Sequence, residues 1–375
     1  MYVRRWPLIL ALLFMVWLPG AVLPAAAQSS SEFQFTSGQQ VYDAACAACH
    51  ARDGRGQPQS TVGFELPLPD FADCNFASRE PDGDWGAITH EGGPARGFSE
   101  IMPAYGDALS GDEIQMAIDY IRGFCGDPAW PAGDLNLPRA LVTEKAFPED
   151  EAVLTTTIDA EGSGAFRNQL VYEKRFGARN QIELAVPFRF QKPEEGSWNG
   201  GIGDVALGFK RTLFHSKGTG SIFSLAGEAI LPTGDDGRGL GKGVTVFEPF
   251  AAFGQILPSD SFLQFQSGIE LPTHSDDAAK EVFWRAVAGK SIAQGRGFGR
   301  TWTPMVELLG AKELEDGAKA DWDLLPEMQV TLSTRQHIML NVGVRFPLSN
   351  RGPRATQVLF YILWDWFDGG LRDGW

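Results

Sequence analysis

Positive charge is scarce in this chain. Lys and Arg number 32 against 47 Asp and Glu, a formal net charge of −15 at pH 7. No stretch gathers the basic residues that neutralise phosphates, so no nucleic-acid partner is expected. Long apolar runs are also missing. Beyond residue 28 no segment reaches the roughly eighteen uninterrupted apolar residues of a spanning helix. Charged residues are only 21% and hydrophobic ones 43%, which excludes a disordered chain, because there is ample apolar surface to bury. Cysteine is limited to Cys46, Cys49, Cys74 and Cys125. No second Cys/His pair accompanies the first two, which leaves a zinc site short of ligands. No nucleophile triad, phosphate loop or metalloprotease motif is present, and the glycine-rich GRGLGKG of residues 237–243 lacks the context of a phosphate loop. The chain is not expected to be an enzyme.

What is present begins with a leader. In MYVRRWPLILALLFMVWLPGAVLPAAAQ, Arg4 and Arg5 precede the apolar run Leu8 to Leu18, and Ala25-Ala26-Ala27 follows. Residues 1–27 are expected to be a secretory signal peptide, with the mature chain starting near Gln28. The alternative, an uncleaved anchor, suffers from an apolar core too short to span. Export puts the chain in an oxidising compartment, where Cys74 and Cys125 are expected to form a disulfide; two separate thiols are the alternative. The 375 residues suit two domains.

The stretch VYDAACAACHARDGRGQP, Val41 to Pro58, contains Cys46-Ala47-Ala48-Cys49-His50, the attachment spacing of a c-type haem. The preceding SGQQVYDAAC suits a short helix in which Gly38 lets another helix cross closely and Tyr42 shares its face. Gly54 and Gly56 in the following loop can take positive φ. His50 supplies one axial position on iron. SEIMPAYGDALSGDEIQMAIDYIRGFC offers Met102 for the other; Pro103 behind it keeps Met102 out of helix, in stiff extended backbone. Ser110 and Glu113 form a capping box for a helix whose Ile114, Ala117, Ile118 and Ile121 make one apolar stripe. The alternative donors are His90, in GAITHEGGPARG read as a flexible loop, and Met116, which reads as core. A Met/His pair fills both iron positions and favours electron transfer over chemistry on a bound substrate.

Gly38-x-x-x-Tyr42-x-x-x-Cys46-x-x-Cys49-His50, then Met102-Pro103 and an amphipathic helix, resembles a class I cytochrome c over roughly residues 33–127. The resemblance implies thioether bonds from Cys46 and Cys49 to one haem c, with His50 and Met102 as its axial ligands. Ala51 departs from the family pattern, which places Gly directly after the motif histidine.

GDPAWPAGDLNLPRALVTEKAFPEDE, Gly126 to Glu151, has four prolines and no sustained period, and residues 128–150 read as a semi-rigid linker. Beyond it the period becomes two. In QIELAVPFRF, Ile182, Leu184, Val186, Phe188 and Phe190 share one side; Gln181, Glu183 and Arg189 share the other. About twelve such runs are centred near Thr156, Val171, Ala185, Leu207, Leu225, Phe250, Phe265, Val287, Met305, Met328, Val342 and Ile362. They are long for a soluble sandwich, the alternative, and right for tilted membrane strands. Short links (GARN, PSD, STR) alternate with long polar ones (QKPEEGSWNGG, TGDDGRGLGKG, THSDDAAK, KELEDGAKAD), as in outer-membrane barrels with short periplasmic turns. Trp198, Trp284, Trp302, Trp322, Trp364 and Trp366 fall near strand ends, where an aromatic belt would sit, and Trp375 ends the chain. Glu183, Arg189, Glu228, Glu270 and Arg345 are candidates for pore lining or for a mutually paired plug. GGIGDVALGFKRTLF, with Asp204 as a turn cap, and EAILPTGDDGRGLGKG resemble outer-membrane barrels of the transporter-like or meta-pathway phenol-degradation type.

The sequence thus predicts a small all-α cytochrome c domain (28–127) and an antiparallel β-barrel of about 12 strands (151–375). The expected function is a monohaem electron carrier anchored in the outer membrane, its haem domain in the periplasm. It would pass single electrons between periplasmic redox proteins and the membrane or exterior, with outer-membrane lipid around the barrel. The layout, and only that, resembles the fused porin–cytochromes of iron-oxidising bacteria. One alternative is a channel for small molecules, aromatic ones among the candidates, with the haem as redox regulator. Another is an enzyme using an open haem position, which requires Met102 not to bind.

Overall fold

The computed structural model describes residues 34–161, 165–191, 199–276, 278–294, 299–350 and 354–365. The leader, residues 1–27, lies outside them, as do Trp198, Trp366 and Trp375.

The first part is helical: α1 (Gly38–Ala45), α2 (Ala47–His50), α3 (Gln59–Val62), α4 (Cys74–Ala77), α5 (Asp82–Glu91) and α6 (Gly111–Arg122). Both long partners of the motif start on built caps. Ser37 accepts from the Gln40 N–H at 3.3 Å. Ser110 accepts from the Glu113 N–H at 3.3 Å while the Glu113 carboxylate accepts from the Ser110 N–H at 2.8 Å. The stripe Ile114, Ala117, Ile118 and Ile121 is buried. α1 crosses α6 at Gly38, where a Cβ would stand 1.9 Å from the Met116 carbonyl oxygen, so only glycine allows this approach. Tyr42 is fully buried, packs on Tyr120 and Phe124 with ring centroids 5.4 and 5.3 Å away, and donates its hydroxyl to the Ala51 carbonyl at 2.6 Å. Cys74 and Cys125 are joined by a disulfide that ties α4 to the chain just beyond α6.

The second part is a closed antiparallel barrel. Its strands are β1 (Asp150–Asp159), β2 (Phe166–Phe176), β3 (Asn180–Gln191), β4 (Asn199–Ile202), β5 (Val205–Ser216), β6 (Ser221–Leu231), β7 (Val246–Leu257), β8 (Ser261–Pro272), β9 (Glu281–Lys290), β10 (Ile292–Ala293), β11 (Thr301–Glu313), β12 (Asp321–Thr331), β13 (Ile338–Pro347) and β14 (Gln357–Asp365). The twelve long strands pair in sequence, β9 meets β11, and β1 pairs with β14, Leu154 opposite Ile362, which closes the sheet. Every strand centre expected from period-two alternation lies in a long strand. The short β4 and β10, which pair with β3 and β11, carry too few residues to show a period.

The faces are inverted relative to a water-soluble protein. Along β12, Asp323, Glu327 and Gln329 are buried inward while Pro326 and Met328 are exposed outward. Outward Leu207 and Phe247 are 52% and 51% exposed, whereas inward Gln264 and Glu307 are buried. An exterior of this kind excludes a soluble sandwich and suits a hydrocarbon surround. Trp284 and Trp322 pack together, ring centroids 5.3 Å apart, at the end with long loops; Trp302 and Trp364 lie at the other end.

Residues 128–150, read from the sequence as a semi-rigid linker, connect the two parts, and much of the segment is buried. From Leu135 to Glu149 the segment runs inside the barrel. Leu141 packs among Val153, Val171, Leu325 and Tyr361, and Phe147 and Leu135 pack against Ile222 and Ala252. The strand walls supply the polar partners that an irregular buried segment needs. Glu327 accepts from Leu141 N–H at 3.0 Å, Glu307 from Val142 and Thr143 at 3.0 and 2.8 Å, and Tyr361 donates to the Arg139 carbonyl at 2.6 Å. Arg139 reaches Glu151 at 2.6 Å, Glu173 at 3.0 Å and Glu144 at 3.2 Å, and Lys145 pairs with Glu149. The segment is a stopper held by the lumen.

Candidate functional site

The helical part encloses a cavity of about 610 Å³, within the range of about 300–1,000 Å³ typical of cofactor and ligand pockets. Cys46, Cys49, His50 and Met102 all line it, so the structure brings the four candidate ligands to one place. His90 is not among the lining residues. It also departs from the expected loop: Asp82–Glu91 is helix α5, with Trp85 and Ala87 buried beneath it, and the His90 imidazole lies 2.9 Å from the Glu91 carboxylate. Met116 sits on α6, where its carbonyl faces Gly38.

Local structure explains the placement. Cys46 falls at the α1–α2 junction and Cys49 inside α2, neither in a disulfide. His50 follows one residue on and is stacked on Phe71 at 4.9 Å, with Trp85 beyond Phe71 at 5.3 Å. Burial lowers the His50 pKa to about 4, so the imidazole is neutral at neutral pH, the form that ligates iron. Among the described residues its buried Nδ1 has no hydrogen-bond partner. Met102 closes a loop pinned by Gly93, whose N–H donates to the Met102 carbonyl at 3.0 Å; a Cβ on Gly93 would stand 2.2 Å from the Ser99 carbonyl oxygen. Ala51 has φ 58° and ψ 165°, a region nearly reserved for glycine, at a cost of about 1–3 kcal/mol. The Tyr42 hydroxyl bond to its carbonyl holds it there.

Two unpaired thiols, an orphaned imidazole nitrogen and a thioether in a mostly apolar cavity fit the donor set of a covalently held, six-coordinate haem. Phe71, Phe76, Trp85 and Ile118 are among its apolar walls, and Arg122, 3.7 Å above the Trp85 ring and bonded to Asp82 at 2.8 Å, braces one of them.

Among the lining residues that escaped the sequence reading, two come from the barrel. Arg335 and His337 belong to the turn between β12 and β13, yet they line the same cavity. They lie more than two hundred residues from the motif, and no local pattern marks them.

The barrel holds a second cavity of about 630 Å³ on the long-loop side of the stopper. Glu183, Arg189, Glu228 and Arg345 line it together with Arg139 and Glu144 of the stopper. Glu270 is not among its lining residues and pairs with Lys242. Asp204 accepts from the Gly234 and Lys242 N–H groups at 2.9 and 2.6 Å, so it ties down the loop after β6.

Residues 33–121 match the family described as cytochrome C oxidase, cbb3-type, subunit III. Chloroplastic cytochrome c6 of Chlamydomonas reinhardtii is 31% identical over 111 residues, which cover 29% of this chain and 67% of that protein. Among solved structures, an outer membrane channel from Pseudomonas putida is similar at 13% identity and a TM-score of 0.42, over 61% of this chain and 100% of that one. The NanC porin is similar at 9% identity and a TM-score of 0.41, over 57% of this chain and 98% of that one. The barrel assignment itself rests on the closed strand ladder.

Proposed function

Because the chain belongs, through its helical part, to the cytochrome c family, we propose that it is a monohaem electron carrier fixed in the outer membrane by its barrel. The observation that carries this reading is the single apolar cavity in which Cys46, Cys49, His50 and Met102 converge. Cys46 and Cys49 would hold the haem covalently, and His50 and Met102 would fill the axial positions. Bound there, haem supplies a reversible one-electron couple. The residues around it do the rest: Phe71 and Trp85 fix the His50 ring, the Gly93 loop positions the Met102 thioether, and the apolar walls keep water from the iron.

The helical part adjoins the short-turn end of the barrel, through Arg79 with Asp150 at 3.3 Å and Lys217 with Asp82. Short turns face the periplasm in barrels of this kind, which supports a periplasmic haem domain exchanging electrons with periplasmic redox proteins. The stopper argues against the channel reading, because it fills the lumen with apolar side chains and ion pairs. The vestibule above it leaves room for a small polar solute to bind without passing.

The test is visible spectroscopy of full-length protein matured with haem. A reducible c-type spectrum with the ferric thioether band is expected, lost in Cys49→Ser, while the barrel keeps its heat-modifiable migration on a gel. Absence of that spectrum in the wild type, or carbon monoxide binding to the native ferrous form, overturns the six-coordinate carrier.

A further inference from the structure

The haem cavity is not built from the helical part alone. Arg335 and His337 line it from the β12–β13 turn of the barrel. Arg335 lies with its guanidinium 4.3 Å from the centre of the Phe98 ring, and its Cγ is 3.5 Å from where a Cβ on Gly97 would stand. His337 is buried, bonded through Nδ1 to Asp365 at the end of β14, with Nε2 3.8 Å from Glu80.

The charges on the wall give these contacts a meaning. Haem carries two carboxylates on the edge opposite its vinyl groups. Apart from His50, the charged lining residues of the helical part are Glu80, Asp84 and Arg96, and Arg96 donates to Asp84 at 2.7 Å. That wall has two carboxylates and one guanidinium, so it repels a dianion. The barrel turn offsets the excess carboxylate by adding a guanidinium, whose planar fork matches a carboxylate.

We propose that Arg335 is the anchor for the haem carboxylates, so that the cofactor is gripped by the barrel as well as by the helical part. The inference rests on the haem reading above. It makes the cofactor a joint between the parts and gives the barrel a direct electrostatic hold on the redox centre. Arg335 acts here as a positioning and tuning residue, not as an iron ligand.

The experiment is a redox titration of full-length holoprotein, followed by the visible spectrum, for wild type, Arg335→Gln, Arg335→Lys and Lys217→Gln. Removing a positive charge beside the haem favours the ferric form. Arg335→Gln should raise the oxidised-to-reduced ratio at fixed potential about tenfold, roughly 59 mV downward for a one-electron couple, and Arg335→Lys should recover most of it. Lys217→Gln, on the same barrel end but outside the cavity lining, should leave the potential near that of the wild type. Arg335→Leu is the second neutral variant if Arg335→Gln does not mature. An unmoved potential in the neutral variants, or an equal shift in Lys217→Gln, overturns the proposal while leaving the haem reading intact. A wild-type protein with no c-type spectrum sinks the haem reading itself, and this proposal with it.

Discussion

In the helical part large side chains point in: Trp85 and Ile118 are buried around a cavity, Tyr42 is buried beside α6, and the Ser37 and Ser110 caps face water. In the barrel Leu207, Phe247 and Ile362 point out, and Glu173, Gln264 and Glu307 point in. One chain therefore obeys opposite burial rules on either side of residue 150. What separates them is the surrounding solvent, not the chemistry of packing. The segment between them, Leu135 to Glu149, combines both rules. It sets Leu137, Ala140, Leu141 and Phe147 against apolar patches inside the barrel, and it meets the lumen carboxylates with Arg139 and Lys145.

The sharpest way to break that comparison is to remove the charge that reconciles the two rules. Arg139→Met leaves Glu151 and Glu173 buried without their shared guanidinium. Losing one partner of a buried pair costs about 3–5 kcal/mol. The stopper should then loosen, read as ion conductance in planar bilayers that the wild type lacks. A variant as tight as the wild type means that the apolar contacts alone hold the segment. Next in size is the outer face. Leu225, near the middle of β6 and 47% exposed, is a surface leucine by accessibility alone. Leu225→Arg should cost about 2–4 kcal/mol if that face meets hydrocarbon, measured by urea titration in lipid vesicles. In water an arginine there would be harmless, so an unaffected midpoint would return the barrel to the soluble class.

Much of this was legible in the sequence, for physical reasons. Period-two alternation marks a strand with two unlike surroundings, and it survives whichever side is wet, so Ala185, Phe265 and Val342 fall in strands as expected. Cys46, Cys49 and His50 are read by spacing, and Met102 by the proline behind it. The stopper was not legible as such. Pro128, Pro131, Pro138 and Pro148 and the absence of a period describe an irregular segment but not its surroundings. Its signal was compositional: an exposed linker has no use for Leu135, Leu137, Leu141 and Phe147 together. His90 was misread because Gly83 and Gly86 weaken helix propensity, whereas burial of Trp85 and Ala87 restores α5. Arg335 and His337 were invisible because their partners are distant in sequence and adjacent only once the barrel closes.

The smallest effect concerns the contact between the two regions, where Lys217 of the β5–β6 turn meets Asp82 and Asp134. Burial alone would raise the Asp82 pKa, but Lys217 and Arg122 outweigh it and hold the carboxyl below its ordinary value of 3.8. Burial would lower Lys217, but Asp82 and Asp134 outweigh it and hold the ammonium above its ordinary 10.5. The aspartate contribution is therefore complete above pH 3.8 and is lost as pH falls through the depressed value. The lysine contribution is complete below pH 10.5 and is lost as pH rises through the raised value. With Lys217 nearly half exposed, the pair is worth only about 0.2–1 kcal/mol. Lys217→Met should accordingly speed amide hydrogen exchange in Gly126–Asp134 slightly at pH 7, and the gap between variant and wild type should shrink on acidification below pH 3.8. A gap that stays the same across that range would mean that Arg79 with Asp150 and the stopper, rather than this pair, hold the two opposite solvation rules together at their boundary.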